Sequence, residues 1–97
     1  MTADCIFCRI INKESEAEIV YEDEEIVAFK DIYPAAPVHL LIVPRKHIPT
    51  LADVEAGDTM LMGRLISVAN DLARAFKVDQ SGYRVVINCG KEGGQLV

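Results

Sequence analysis

Val38-His39-Leu40-Leu41-Ile42-Val43, closed by Pro44, is the run on which the fold turns. It is nearly all apolar, so it reads as a strand buried on both faces. Upstream of it, residues 31–37 hold Pro34 and Pro37, which makes that stretch a loop rather than a central strand. Before the loop lie two shorter β-rich runs, Ile19-Val20-Tyr21 and Ile26-Val27-Ala28-Phe29. The spacer between them, Glu22-Asp23-Glu24-Glu25, reads as a hairpin turn whose charges form a solvated tip. Further out, Ile6 to Ile11 is apolar except for Arg9 and suits a short helix, and Asn12 to Glu18 is polar and loop-like.

Downstream, residues 47–50 form a further loop, and Arg45 and Lys46 read as solvated loop charges. Leu61, Leu65, Val68, Ala69, Leu72 and Phe76 then recur at helical spacing. That pattern predicts an amphipathic helix from Asp58 to Phe76, with Asp58 or Thr59 as N-cap. After a turn at Ser81-Gly82, Tyr83 to Asn88 reads as a fourth strand. Three glycines between Gly90 and Gln95 mark a loop with backbone freedom, and Leu96-Val97 reads as the opening of another strand. The sum is an α+β domain with a mostly antiparallel sheet, one long helix and a short N-terminal helix.

Ninety-seven residues make one domain at most, so residues 1–97 are read as a single domain. A net charge of −5 argues against a nucleic-acid surface, which needs clustered Lys and Arg. It leaves room for a small anionic ligand, since backbone N–H groups bind phosphate without net positive charge. Met1-Thr2-Ala3-Asp4-Cys5 lacks the basic and apolar regions of a secretory signal, and no run is long enough to span a membrane. Three cysteines, an odd number, suit a reducing compartment better than a disulfide framework. A cytoplasmic protein is expected.

The order of several strings resembles the histidine-triad (HIT) family, in its Hint-like nucleotide-binding branch. They are Cys5-Ile6-Phe7-Cys8-Arg9-Ile10-Ile11, Val20-Tyr21-Glu22-Asp23, and Ala28-Phe29-Lys30-Asp31-Ile32. Pro37 through Ile48, then Tyr83 through Asn88 and Gly93-Gly94-Gln95, complete the series. The resemblance implies a HIT-like fold and a homodimer whose sheets join. It also implies hydrolysis of purine nucleoside phosphoramidates or related nucleotidyl compounds through a nucleotidyl-histidine intermediate. In that family three alternating histidines share one face of the strand after the Gly-Gly-Gln loop, because residues two apart on a strand point the same way. Those positions would fall after Val97, so no catalytic histidine is assigned within the chain. The expectation is an incomplete record of a HIT hydrolase. A truncated, non-catalytic nucleotide-binding or dimerisation module and a zinc-stabilised structural protein are the alternatives.

Each candidate residue carries two readings. Asp31 is a turn-forming aspartate by type and place, and by resemblance the carboxylate that accepts the ribose hydroxyls of a purine nucleoside monophosphate. Phe7, Ile10, Phe29 and Ile32 are simplest as core, and the resemblance makes Phe7, Phe29 and Ile32 walls of a base pocket. Asn88, Gly94 and Gln95 form an ordinary glycine-rich loop, or contacts to phosphate and leaving group. Leu96 departs from the serine or threonine usual in the family and cannot hydrogen-bond a phosphate.

Cys5 and Cys8 form a Cys-x-x-Cys pair, open to readings as a redox couple, half a zinc site or two small apolar residues. The resemblance adds His47 as a third zinc ligand and leaves the fourth to the first histidine of the triad. Cys89 is a conceivable substitute. His39, in an apolar run, is a hydrogen-bonded structural histidine by type, and by resemblance a support for the triad.

Overall fold

The computed structural model describes residues 5–97; the opening residues 1–4, on which the reading of the N-terminus partly rests, lie outside it. The chain divides into two compact units, one running through His47 and including Val97, the other Ile48–Leu96.

The first unit opens with α1, Ile6–Ile11. It ends with Lys13 in the left-handed region (φ 63°), where the Glu14 N–H donates to the Arg9 carbonyl and the Lys13 N–H to that of Ile10. This pair of bonds satisfies the last carbonyls of a short helix without a glycine. Three antiparallel strands follow: β1 (Ile19–Glu22), β2 (Ile26–Lys30) and β3 (Leu40–Pro44), in the order β1-β2-β3. The register pairs Val27 with Val43 and Phe29 with Leu41 on one side, and Glu22 with Val27 and Ile19 with Phe29 on the other. A β-bulge interrupts the first ladder between Ile19 and Tyr21.

The strand order corrects one expectation. β2, not β3, is buried on both faces, with Ile26, Val27 and Ala28 wholly inaccessible. β3 pairs on one side only among the described residues, and its side chains are half-buried except Val43. It also begins at Leu40, so Val38 and His39 belong to the preceding loop, and Pro44 closes the strand from within. Alternation along β2 sends Val27 and Phe29 to one face. There they join Ile10 and Ile11 of α1 and Val43 in a buried cluster, flanked by Ile6, Phe7, Ile19 and Leu41.

The acidic hairpin is more than a solvated tip. Asp23 Oδ1 accepts the N–H groups of Glu25 and Ile26, both at 2.8 Å, which closes the turn. Glu22 is bound by Lys13 Nζ (3.1 Å) and by an Arg45 guanidinium nitrogen (3.1 Å). Arg45 also donates through Nε to the Asp23 carbonyl at 2.7 Å, so it clamps the hairpin rather than standing free in a loop.

In the second unit, short 3-10 turns at Leu51–Asp53 and Ala56–Asp58 lead into α2, Thr59–Ala75. Its apolar stripe buries Val68, Ala69, Leu72 and Ala73. Asp58 is the N-cap residue, yet its carboxylate turns back to accept the Glu55 N–H at 3.0 Å and closes the preceding turn instead. α2 ends as α1 does, with Lys77 at φ 60° and the Val78 N–H on the Ala73 carbonyl.

The predicted fourth strand is corrected. Among the described residues, 83–88 enter no strand ladder, and Tyr83, Val85, Val86 and Ile87 are each about half exposed. A β-rich sequence becomes a strand only when a second strand takes up its backbone N–H and C=O groups. Leu96 and Val97 are also outside any strand.

Candidate nucleotide site

Asp31 stands where β2 and β3 part. Its backbone N–H donates to the His39 carbonyl (3.1 Å), which extends the pairing one step beyond Lys30 and Leu40. Residues 32–38, with Pro34 and Pro37, therefore form a loop closed at its neck by Asp31 and His39. Two contacts hold the Asp31 carboxylate. Oδ1 accepts the Tyr33 N–H at 2.9 Å, and Oδ2 lies 3.4 Å from His39 Nε2. The first is the turn geometry expected of aspartate by type. His39 Nδ1 in turn accepts the Ala35 N–H at 2.9 Å, so its proton resides on Nε2, facing the carboxylate. A carboxylate has about four lone-pair directions, and two remain for further donors.

Beside this neck lies an open concavity of about 540 Å³ whose apolar lining is Ile10, Ala17, Ile19 and Ile32. Its rim includes Glu14, Glu16 and Glu18, in the segment that sequence reasoning treated only as a polar loop. Their alternation with Ser15 and Ala17 was the available signal. Ile32, expected in the core, is 73% exposed and lines this concavity. Apolar residues outside the core are common, so type alone does not place one inside. Phe29 is 2% exposed and Phe7 half-buried, their rings 5.8 Å apart and inclined at 58°. Phe29 backs the Phe7 ring and has almost no surface of its own.

A second cluster lies in the same unit. Cys5 precedes the first turn of α1, Cys8 is buried within it, and His47 is exposed beyond β3. One ligating atom from each lies within 4.8 Å of the others, and Cys8 Sγ is 3.2 Å from His47 Nδ1. Two thiols and an imidazole are a zinc-type donor set, and bonds of about 2.0–2.3 Å place tetrahedral ligands at roughly this spacing. The three residues thus fit a zinc ion.

In the second unit the glycine loop is shaped by positive φ at Gly90 (77°) and Gly94 (84°), flanking a 3-10 turn at Lys91–Gly93. Gln95 clamps it: Oε1 accepts the Gly90 N–H at 2.7 Å and Nε2 donates to the Pro49 carbonyl. Asn88 Nδ2 reaches the Gly94 carbonyl at 3.5 Å. The three residues singled out here, Asn88, Gly94 and Gln95, are therefore together in one loop. Cys89, the conceivable fourth metal ligand, is exposed beside it.

Comparison with known proteins gives these sites a context. A family model described as the scavenger mRNA decapping enzyme C-terminal binding domain matches residues 4–97. The purine nucleoside phosphoramidase of Escherichia coli K12 is 42% identical over 97 residues, spanning 100% of this chain and 82% of that protein. The fold is similar to a histidine triad protein from Clostridium difficile, with TM-score 0.93 at 44% identity, covering 97% of this chain and 82% of that one. A HIT family hydrolase from Legionella pneumophila aligns with TM-score 0.94 at 46% identity, covering 96% and 83%. The chain belongs to the histidine-triad family. Its HIT fold is the α+β arrangement expected, a three-stranded antiparallel sheet with one long helix. The two histidines of this HIT protein, His39 and His47, are those already placed, one against Asp31 and one against Cys8. Among the described residues no helix is long and apolar enough to cross a membrane.

Proposed function

We propose that this chain binds a purine nucleoside monophosphate-type ligand and forms the nucleoside side of a histidine-triad phosphoramidate hydrolase site. The observation that carries the reading is the Asp31 carboxylate, oriented by Tyr33 and His39 yet with acceptor capacity left, in the residue before Ile32, which lines an open concavity of mixed apolar and charged lining. Adjacent acceptor oxygens match a ribose cis-diol, and Ile32 and Ile10 offer an apolar face to a base. By family resemblance Asn88, Gly94 and Gln95 are the phosphate-side residues. Here the Gly94 and Gln95 N–H groups donate to the Lys91 and Gly90 carbonyls within their own loop, and the Leu96 side chain has no donor to add. Neither histidine in the sequence is proposed as the nucleophile. His39 is turned to Asp31, and His47 belongs to the cysteine cluster.

Calorimetry with AMP and GMP tests the binding. The 97-residue chain should bind in the micromolar to millimolar range. Asp31→Ala should weaken AMP by roughly ten- to a hundredfold, as expected when a charged acceptor of two hydrogen bonds is lost. No heat at millimolar nucleotide would end this reading. Turnover of a purine nucleoside phosphoramidate by the same chain, free of contaminant, would instead contradict the assignment of the nucleophile.

The Cys5, Cys8 and His47 cluster holds a structural zinc ion in this reading. It would tie α1 to the segment after β3, two parts of the chain 39 positions apart. Metal analysis of protein purified at neutral pH should find close to one zinc per chain. Cys8→Ala should abolish it, and chelation should lower the melting temperature. Protein without stoichiometric zinc would remove the metal from the account.

A homodimer completes the reading. The exposed apolar residues Val85, Val86 and Ile87 are surface that a second copy could cover, and sedimentation of the chain measures whether one does.

A further inference from the structure

His39 lies on the opposite side of the loop neck from Asp31, and its two ring nitrogens face different groups. Nδ1 accepts the Ala35 N–H at 2.9 Å, which fixes the loop to the ring and leaves the proton on Nε2. Nε2 faces Asp31 Oδ2 at 3.4 Å, a polar contact longer than a closed hydrogen bond. The backbones of the two residues are bonded directly, so the ring and the carboxylate approach from neighbouring strand ends. The imidazole is about one-third exposed and the carboxylate less than a quarter, so water screens the contact only in part.

We propose that His39 is a positioning residue for ribose recognition, holding the Asp31 carboxylate at the rotation that presents acceptors to a cis-diol. The inference rests on the nucleotide reading above and adds its specificity element. Tyr33 fixes one carboxylate oxygen, but a single bond leaves the group free to rock about it. The Nε2–H, 3.4 Å from the second oxygen, restrains that rocking by charge–dipole attraction without closing a hydrogen bond, and ligand binding would draw it in. Oδ1 then holds the Tyr33 N–H and Oδ2 faces the imidazole, and each oxygen keeps capacity for one hydroxyl. A ligand lacking the 2′-hydroxyl loses one of the two bonds for which the group is oriented, so the site discriminates ribo- from 2′-deoxyribonucleotides. Residues built to hydrogen-bond a hydroxyl penalise its absence because the site's own polar groups are left unpaired.

Two conservative variants separate the two ring nitrogens. In His39→Asn the amide oxygen can still accept the Ala35 N–H, but nothing reaches Asp31. In His39→Gln the longer amide can still donate toward Asp31. The measurement is the ratio of affinities for AMP and 2′-deoxy-AMP, by calorimetry on the full 97-residue chain. Wild type should prefer AMP by roughly tenfold, the size of one hydrogen bond to a charged group. His39→Asn should bring the ratio close to one, as Asp31→Asn does, and His39→Gln should keep most of it. A merely structural role would weaken both nucleotides equally and leave the ratio unchanged. If Asp31→Asn abolishes discrimination and a folded His39→Asn does not, the positioning role is wrong and the nucleotide reading stands. If wild type binds neither nucleotide, the reading itself fails and takes this inference with it. Should His39→Asn not fold, ¹⁵N resonances of the wild-type imidazole decide: protonated Nε2 that shifts with AMP supports the role, and protonated Nδ1 overturns it.

Discussion

Residues 26–30 and 83–88 are two runs of similar composition with opposite fates. Ile26-Val27-Ala28-Phe29-Lys30 has a strand on each side, and four of its five residues are buried. Tyr83-Arg84-Val85-Val86-Ile87-Asn88 is at least as rich in β-branched residues and lies fully outside any ladder among the described residues. Local preference is therefore equal or better in the run that is not a strand. What differs is the surroundings. β2 leaves a turn closed by Asp23, pairs immediately with β1, and receives β3 across a loop pinned by Asp31 and His39. Residues 83–88 are anchored by a bond from the Tyr83 hydroxyl to Asn70 on α2, a side-chain contact that satisfies no backbone group. β-propensity measures how well a residue fits a pleated, half-buried surface, and neighbours must supply that surface.

The sharpest test makes one substitution in both runs. Ile26→Ala removes a fully buried side chain and should cost about 2–5 kcal/mol, the usual range for buried isoleucine truncations. Ile87→Ala, at a residue 57% exposed, should change stability by no more than about 0.5 kcal/mol. Urea unfolding of both variants measures the contrast, and similar losses would show that residues 83–88 are covered in solution.

Val86→Asp, at 59% exposure, asks what would cover them. If a second copy does, the charge should convert a dimer to a monomer in sedimentation while each copy stays folded. If the run is free, the variant should sediment like the parent chain. A parent chain that is already monomeric would end the homodimer proposal.

How much of this was legible differs between elements for the same reason. α1, the hairpin and α2 were readable because each is specified within its own window, by apolar spacing, by Asp23 in the turn or by the 3.6-residue period. Strand order was not. The apolar purity of Val38–Val43 suggested the most buried strand, but centrality comes from pairing between distant segments, which made β2 the inner one. The two Cys residues were visible as a pair, whereas the approach of His47, 39 positions from Cys8, was available only through family resemblance. Asp31 and His39 were named with separate roles. Their contact depends on how the proline-containing loop closes, and no single-residue property reports that. Arg45 was misplaced among solvated charges because its partners, Glu22 and the Asp23 carbonyl, are more than twenty positions away.

The smallest expected effect concerns that clamp, and its sign follows from the geometry. Hydrogen bonds from Lys13, then from Arg45, hold the Glu22 carboxyl below the ordinary glutamate range. A group whose folded-state value is depressed adds stability above its unfolded value, about 4.3, and that contribution disappears as pH falls through the folded value. Glu22 is well exposed, so solvent and salt screen both partners and the effect is small. Glu22→Gln should lower the urea midpoint slightly at pH 7 in low salt, and the gap to wild type should close below about pH 4. It should also narrow at high salt, whereas the loss in Ile26→Ala should persist at both pH values because it comes from packing. A gap for Glu22→Gln that survives both acid and salt would mean that its side chain contributes through packing, and that the sheet edge is held as β2 is rather than by charge.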